Sequence, residues 1–281
     1  MFPKSSIHVH SRFCDGEGEP EDYERAARER GFVSLGFSSH VPLPYPNDWA
    51  MRPAELPAYL ERIRTMKRAA PQGMEIYLGL EIDYIPGLIS PRDARFDELG
   101  LDFRIGSVHC LGRSADGKFR EVDGPPEMLE ELLEVDFAGD ARALVRAFYR
   151  GVAGMLETGA PDLLAHLDLI KKNNRGGLYF SEEENWYREA LAGLVPLIAA
   201  SGTVVEVNTG GLARGKTTEL YPAPWLLARL AGAGVPVTVN SDAHRPDQID
   251  AFYPEAVEAL RRAGYTSAFV FRAGGWVEAP L

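Results

Sequence analysis

The chain has 281 residues, with 41 acidic and 30 basic side chains and a formal net charge of −11. That excess repels phosphate backbones and anionic membrane surfaces, which argues against nucleic-acid and membrane-surface partners. No run approaches the roughly 20 apolar residues that a membrane helix needs.

Residues 7–9 read as a short first strand, and residues 21–30 as a charged helix with Ala26 and Ala27 inward, closed by Gly31. An apolar strand at 32–37 leads into a proline-rich loop at 41–52 that carries Tyr45 and Trp49. Residues 54–69 place Leu56, Tyr59, Leu60, Ile63 and Met66 at helical spacing. Strands follow at 75–80 and 103–108, then a polar hairpin or loop at 112–123. A long helix at 140–158 puts Leu144, Phe148, Val152 and Met155 on one side. Strands at 163–165, 203–207 and 235–239 alternate with helices at 182–200 and 223–233, before a last helix at 255–264 and a strand at 267–271. About seven strand–helix units in uninterrupted alternation predict a parallel sheet. One compact barrel-like domain over residues 1–281 is the favoured arrangement, with a doubly wound open sheet as the alternative. No dinucleotide-type glycine motif follows the first strand and no Walker-type phosphate loop is present. The two cysteines, Cys14 and Cys110, form no disulfide framework, and the first residues carry no apolar signal core, so a reducing cytoplasm is expected.

The six histidines are His8, His10, His40, His109, His166 and His244. Each falls at or just past the C-terminal end of a predicted strand, and in a parallel barrel those ends form the rim that holds the active site. His8 and His10, two apart, share a face. One histidine at a strand end is commonly just a packed side chain, but six unrelated ones would scatter over helices and loops. Asp15, Glu81 and Asp242 join them. Asp15 and Asp242 also suit a cap or turn. Glu81 follows a largely apolar strand, where a carboxylate is costly without a cation. Six imidazoles and three carboxylates match two or three divalent ions, with zinc, iron and manganese all compatible and Glu81 the natural bridge.

These residues, in the pattern His8-x-His10-x4-Asp15, His40, Glu81, Ser107-Val108-His109, Ala165-His166 and Ser241-Asp242-Ala243-His244, resemble the PHP (polymerase and histidinol phosphatase) family. Further stretches are similar to the monofunctional histidinol-phosphate phosphatases within it, among them Gly79-Leu80-Glu81-Ile82-Asp83-Tyr84, His166-Leu167-Asp168-Leu169-Ile170-Lys171 and Tyr221-Pro222-Ala223-Pro224. The resemblance implies a distorted (β/α)7 TIM-like barrel with a trinuclear site. His8, His10, Glu81 and Asp242 would hold one metal, Glu81, His109 and His166 a second, and Asp15, His40 and His244 a third. Ser39 stands where relatives usually have an acidic residue before the histidine.

The implied reaction is hydrolysis of L-histidinol phosphate to L-histidinol and phosphate in histidine biosynthesis, by attack of a metal-bridging hydroxide. Glu81, Asp242 and His244 are then the catalytic candidates. Lys171 and Arg214, with Arg52, Lys172 and Lys216 in reserve, are candidate phosphate contacts, and Glu206 and Asn208 orient ligands or meet the substrate amine. The other readings are a relative acting on nucleotides or other small phosphate esters, an amidohydrolase, which would bridge its metals with a lysine, and a metal-stabilised interaction module with closed coordination.

Overall fold

The computed structural model describes residues 2–281, so Met1, the first residue of the expected domain, lies outside the described residues. Eleven strands and nine α-helices run along it. In chain order they are β1 (Lys4–Ser6), α1 (Pro20–Glu29), β2 (Phe32–Phe37), α2 (Leu56–Arg68), β3 (Glu75–Asp83), β4 (Phe103–Ser107), β5 (Cys110–Arg113), β6 (Phe119–Glu121), α3 (Pro126–Phe137), α4 (Ala141–Gly159), β7 (Leu163–Leu164), α5 (Asn185–Ala192), α6 (Val195–Ser201), β8 (Val204–Asn208), α7 (Gly210–Ala213), α8 (Pro224–Gly232), β9 (Val237–Asn240), α9 (Tyr253–Ala263), β10 (Ser267–Arg272) and β11 (Gly275–Pro280). The sheet order is β1-β2-β3-β4-β7-β8-β9-β10-β11, parallel throughout except for the β10–β11 pair, and β5–β6 forms a separate antiparallel hairpin. The fold is therefore α/β on a mostly parallel sheet. No helix among the described residues is long and apolar enough to cross a membrane.

The sheet curls back on itself. Val9 makes a parallel bridge to Ala243, and the His10 amide donates to the Ala243 carbonyl at 3.0 Å, joining the segment after β1 to the segment after β9. A compact apolar cluster draws Tyr77, Phe103, Ile105, Leu163, Val204 and Phe271 from five strands at once, which the inner face of a curled sheet permits. Gly79 makes room for it, since a Cβ there would lie 2.2 Å from the Phe103 ring. Strand side chains alternate, so the face that carries Tyr77 also carries Glu81 and Asp83, and the face that carries Val204 also carries Glu206 and Asn208. The inner face is thus plugged by apolar side chains at one end and bears carboxylates towards the C-terminal ends of its strands.

Local chemistry explains where the elements depart from expectation. The first strand is Lys4–Ser6 rather than 7–9; past it the backbone pairs by bridges and side chains, with the Val9 amide donating to Ser38 Oγ at 3.1 Å. β3 runs three residues past the expected end, which takes Glu81 inside the strand. The expected helix 182–200 is two, α5 and α6, because Pro196 lacks an amide donor and sits in the first turn of a new helix. α3, α7 and β11 were not anticipated.

Candidate metal centre

The donor atoms of four overlapping groups lie within 4.8 Å of one another: His10, Asp15, His40 and His244; His8, His10 and Asp242; His8, Glu81 and His166; His40, Asp83 and His109. All nine residues named as ligands from the sequence fall in at least one group, and Asp83 is the addition. Glu81 is the hub. His8, His40 and His166 each place a ring nitrogen 3.1 Å from its carboxylate, with His10 at 3.4 Å and His109 at 3.6 Å. Asp242 Oδ1 lies 3.1 Å from His10 Nε2, and Asp15 Oδ2 lies 3.1 Å from His244 Nε2.

The rings are oriented by carboxylates behind them. Glu206 Oε1 sits 2.7 Å from His8 Nδ1, and its Oε2 accepts from the His166 amide at 3.1 Å. Asn208 Nδ2 donates to Glu206 Oε2 at 2.8 Å and to Asp242 Oδ2 at 3.2 Å. Asp83 Oδ1 holds His109 Nδ1 at 2.8 Å, leaving Nε2 turned to Glu81. Such outer hydrogen bonds fix which imidazole nitrogen is free to ligate. Glu206 thus touches His8 and the His166 backbone, and Asn208 touches Glu206 and Asp242. The Ser39 hydroxyl lies 3.4 Å from that of Ser11, and its carbonyl accepts from the Glu81 amide at 3.3 Å.

The electrostatics favour cations in this cluster. Glu81, Asp83 and Glu206 are wholly buried and Asp242 nearly so. Arg214 is the guanidinium that reaches them, with Nη2 2.9 Å from Asp242 Oδ2. Burial lowers His10 to about 4, and the charge of His244 adds to that. Burial also lowers His40 to about 4 against the pull of Glu81. Burial thus disfavours the charged form of both rings, and the neutral form is the one that binds a metal; at His8 and His109 burial acts the same way, but the carboxylates beside them outweigh it and raise both. Burial opposes ionisation of Glu81 and Asp242, yet the neighbouring imidazoles, and Arg214 for Asp242, hold both carboxyls well below their ordinary values. His10 Nε2 and His40 Nδ1 are buried without a hydrogen bond among the described residues, although carboxylate oxygens lie 3.1 Å away. Bare ring nitrogens crowded against carboxylates fit shared cations.

A cleft of about 460 Å³ opens over the cluster, lined by Asp15, His40, Glu81, His109, His166, Asp242 and His244 among others. Arg214, Lys172 and Lys216 also line it, as do Asp48, Glu121, Asp123, Trp49 and Tyr221. Trp49, from the proline-rich loop, packs edge-on against His40 and His109 at ring separations of 4.6 and 5.5 Å. Arg214 Nη1 lies 2.5 Å from His244 Nδ1 and donates to the Asp242 carbonyl at 2.7 Å. Two expected phosphate contacts fall elsewhere. Arg52 is exposed and outside the cleft lining. Lys171 is buried, with Nζ 2.8 Å from Asp168, 2.6 Å from Glu219 and 3.0 Å from the Leu220 carbonyl, so its donors are spent internally. Lys172, its neighbour, faces the cleft and is held by Asp123 at 2.9 Å. Asp83 lies beyond the expected strand end at residue 80, and continuing the alternation from Glu81 by one step reaches it.

The PHP domain pattern matches residues 6–210. A Deinococcus radiodurans protein assigned as a histidinol-phosphatase is 31% identical over 260 residues, covering 92% of each chain. The histidinol-phosphatase of Bacillus subtilis is 27% identical over 274 residues, covering 91% of this chain and 98% of the relative. Two solved structures share the fold. One, from Listeria monocytogenes and assigned as a histidinol phosphatase, has a TM-score of 0.76 at 22% identity, covering 90% of this chain and 99% of that one. The other, the Lactococcus lactis histidinol phosphate phosphatase complexed with zinc, L-histidinol and phosphate, has a TM-score of 0.66 at 22% identity, covering 97% and 98%. With the domain pattern spanning most of the chain and a relative aligned across nearly its whole length, this chain belongs to the PHP family.

Proposed function

We propose that this chain, acting as one domain over residues 1–281, is a phosphomonoesterase that hydrolyses L-histidinol phosphate to L-histidinol and phosphate in the cytoplasm, as a step of histidine biosynthesis. The observation that carries the reading is the polarity of the cleft above the donor cluster. Arg214, near the segments after β8 and β9, supplies positive charge, while Asp48 and Glu121, in the segments after β2 and β4, supply negative charge. A substrate with a phosphate at one end and a cationic amine or imidazole at the other suits that division; a nucleotide carries no such cation. The relatives named as histidinol-phosphatases support the same substrate.

We assign His8, His10, Glu81 and Asp242 to one divalent ion, Glu81, His109 and His166 to a second, and Asp15, His40 and His244 to a third, the ions being zinc, iron or manganese. Bound there, they would supply positive charge for the phosphoryl oxygens and make water nucleophilic at neutral pH. Glu206, Asn208 and Asp83 hold the imidazoles in their ligating tautomers. Arg214 binds the phosphoryl group alongside, and Trp49 closes one wall against water. Two free thiols suit the reducing compartment. The test is phosphate release by protein reconstituted with each metal, on L-histidinol phosphate, a 5′-nucleotide and a generic aryl phosphate. The expected result is a kcat/KM for histidinol phosphate at least tenfold above the others; equal or better turnover of the nucleotide overturns the reading.

A further inference from the structure

Tyr221 is 2% exposed and lines the metal cleft, yet its hydroxyl has no hydrogen-bond partner among the described residues. Buried hydroxyls are nearly always paired, so a fixed one without a partner calls for an explanation. This one is fixed. The Tyr221 carbonyl accepts from the Asn208 amide at 2.7 Å, and the Tyr221 amide donates back to the Asn208 carbonyl at 3.3 Å. On one side Lys171 Nζ donates to the Leu220 carbonyl at 3.0 Å; on the other the Ala223 amide donates to Asp168 Oδ2 at 2.8 Å. The ring lies 6.4 Å from that of His166, with the Lys171 ammonium 5.3 Å from its centroid. Gly211 leaves space for the hydroxyl-bearing end, since a Cβ there would come within 2.8 Å of the ring. Arg214 lines the same cleft as the Tyr221 ring. A phenol is protonated at neutral pH and can donate to an anion in the cleft.

We propose that the Tyr221 hydroxyl donates a hydrogen bond to the phosphoryl group, beside Arg214, and that the Lys171–Asp168–Glu219 ion pairs are positioning residues for it. The proposal rests on the phosphatase reading above, and the test keeps the two apart. Tyr221→Phe keeps the ring and its packing and removes one donor. The first measurement is calorimetric binding of inorganic phosphate to metal-loaded wild type and variant, which needs no turnover. Affinity is expected to fall about tenfold, as for loss of one hydrogen bond to a charged group, with metal content by elemental analysis unchanged. The second is kcat/KM for L-histidinol phosphate, expected to fall on the order of 10- to 100-fold, mostly in kcat. Unchanged phosphate affinity, or a loss of metal from the variant, overturns the proposal. A defect seen with histidinol phosphate but not with inorganic phosphate also overturns it, and moves the hydroxyl to the organic half of the substrate. Wild-type protein that binds phosphate but turns over none of the esters refutes the phosphatase reading while the phosphate comparison still decides Tyr221; wild type that binds no phosphate refutes both.

Discussion

Two clusters of buried ionisable groups lie side by side in this molecule, and they are balanced in opposite ways. Around Glu81, five imidazoles gather within 3.6 Å of one carboxylate, and further carboxylates stand behind them. Around Lys171, one ammonium is shared by Asp168 and Glu219 and finished by a backbone carbonyl. The cavity beside Lys171 is the larger, about 540 Å³ against 460 Å³, and the two share Lys172 and Lys216 in their walls. Size alone does not choose between them. What separates them is completeness: the Lys171 ammonium meets both of its acids, whereas around Glu81 two buried ring nitrogens lack a hydrogen-bond partner among the described residues and Arg214 reaches Asp242 alone of the buried acids. Buried charge is costly without compensation, which favours the Glu81 cluster as the proposed cation site and an internal, positioning role for the Lys171 cluster.

The largest effect expected from breaking this contrast is at the hub. Glu81→Gln removes the charge that five imidazoles face. Turnover of the phosphate ester should drop on the order of 10³-fold or more, since both metal retention and charge stabilisation depend on it. Elemental analysis should show metal lost in parallel; a variant that keeps full metal content and activity would leave Glu81 a bystander. Next is the finished cluster. Lys171→Met strands Asp168 and Glu219, and breaking a buried pair costs roughly 3–5 kcal/mol. Urea unfolding should show that loss while metal content stays at the wild-type level. A normal stability would mean that Lys171 is no internal partner and would return it to the list of phosphate contacts. Smaller still is Asp83→Asn, which loosens the hold on His109. Metal affinity should fall about 10- to 100-fold, as for other outer partners of ligating histidines, and chelator titration of the metal-loaded protein would read it.

The same contrast explains how much of the site could be read from the chain alone. Ligand histidines announce themselves because strand ends in a parallel barrel share a rim, and their spacing to the apolar runs is visible in one dimension. Glu81 is legible for the same reason, being an acid at the end of an apolar run. Asp83 is hidden only by where the apolar run of β3 stops, and Glu206 and Asn208 show their contacts with His8, the His166 amide and Asp242 only in three dimensions. Lys171 misleads because a lysine beside a histidine motif looks free. Asp168, three residues back, is a local partner, but Glu219, 48 residues away, completes the pairing and is not visible nearby in the chain. Tyr221 stands out in the sequence only within the Tyr221-Pro222-Ala223-Pro224 stretch, and its hydroxyl becomes informative only through the absence of a neighbour. The barrel elements themselves follow from alternation of apolar runs and amphipathic stretches; α3 was missed because its proline-led start resembles a loop, and the split between α5 and α6 rests on Pro196.

The smallest effect sharpens the comparison from the finished side. Glu182 lines the Lys171 cavity, and burial pushes its carboxyl up to about 7, with Lys171 pulling down and Asp168 and Glu219 pushing further up. In the unfolded chain the ordinary value is 4.5. Between those two values the folded protein holds a proton that the unfolded chain has released. Stability contributed by this group is therefore present below pH 4.5 and is lost as pH rises through about 7. Glu182→Gln mimics the protonated form at every pH. Its urea midpoint relative to wild type should rise between pH 5 and pH 8, a difference from which the titrations common to both proteins cancel. A constant difference across that range would mean that Glu182 meets enough water to ionise freely beside Lys171, Asp168 and Glu219.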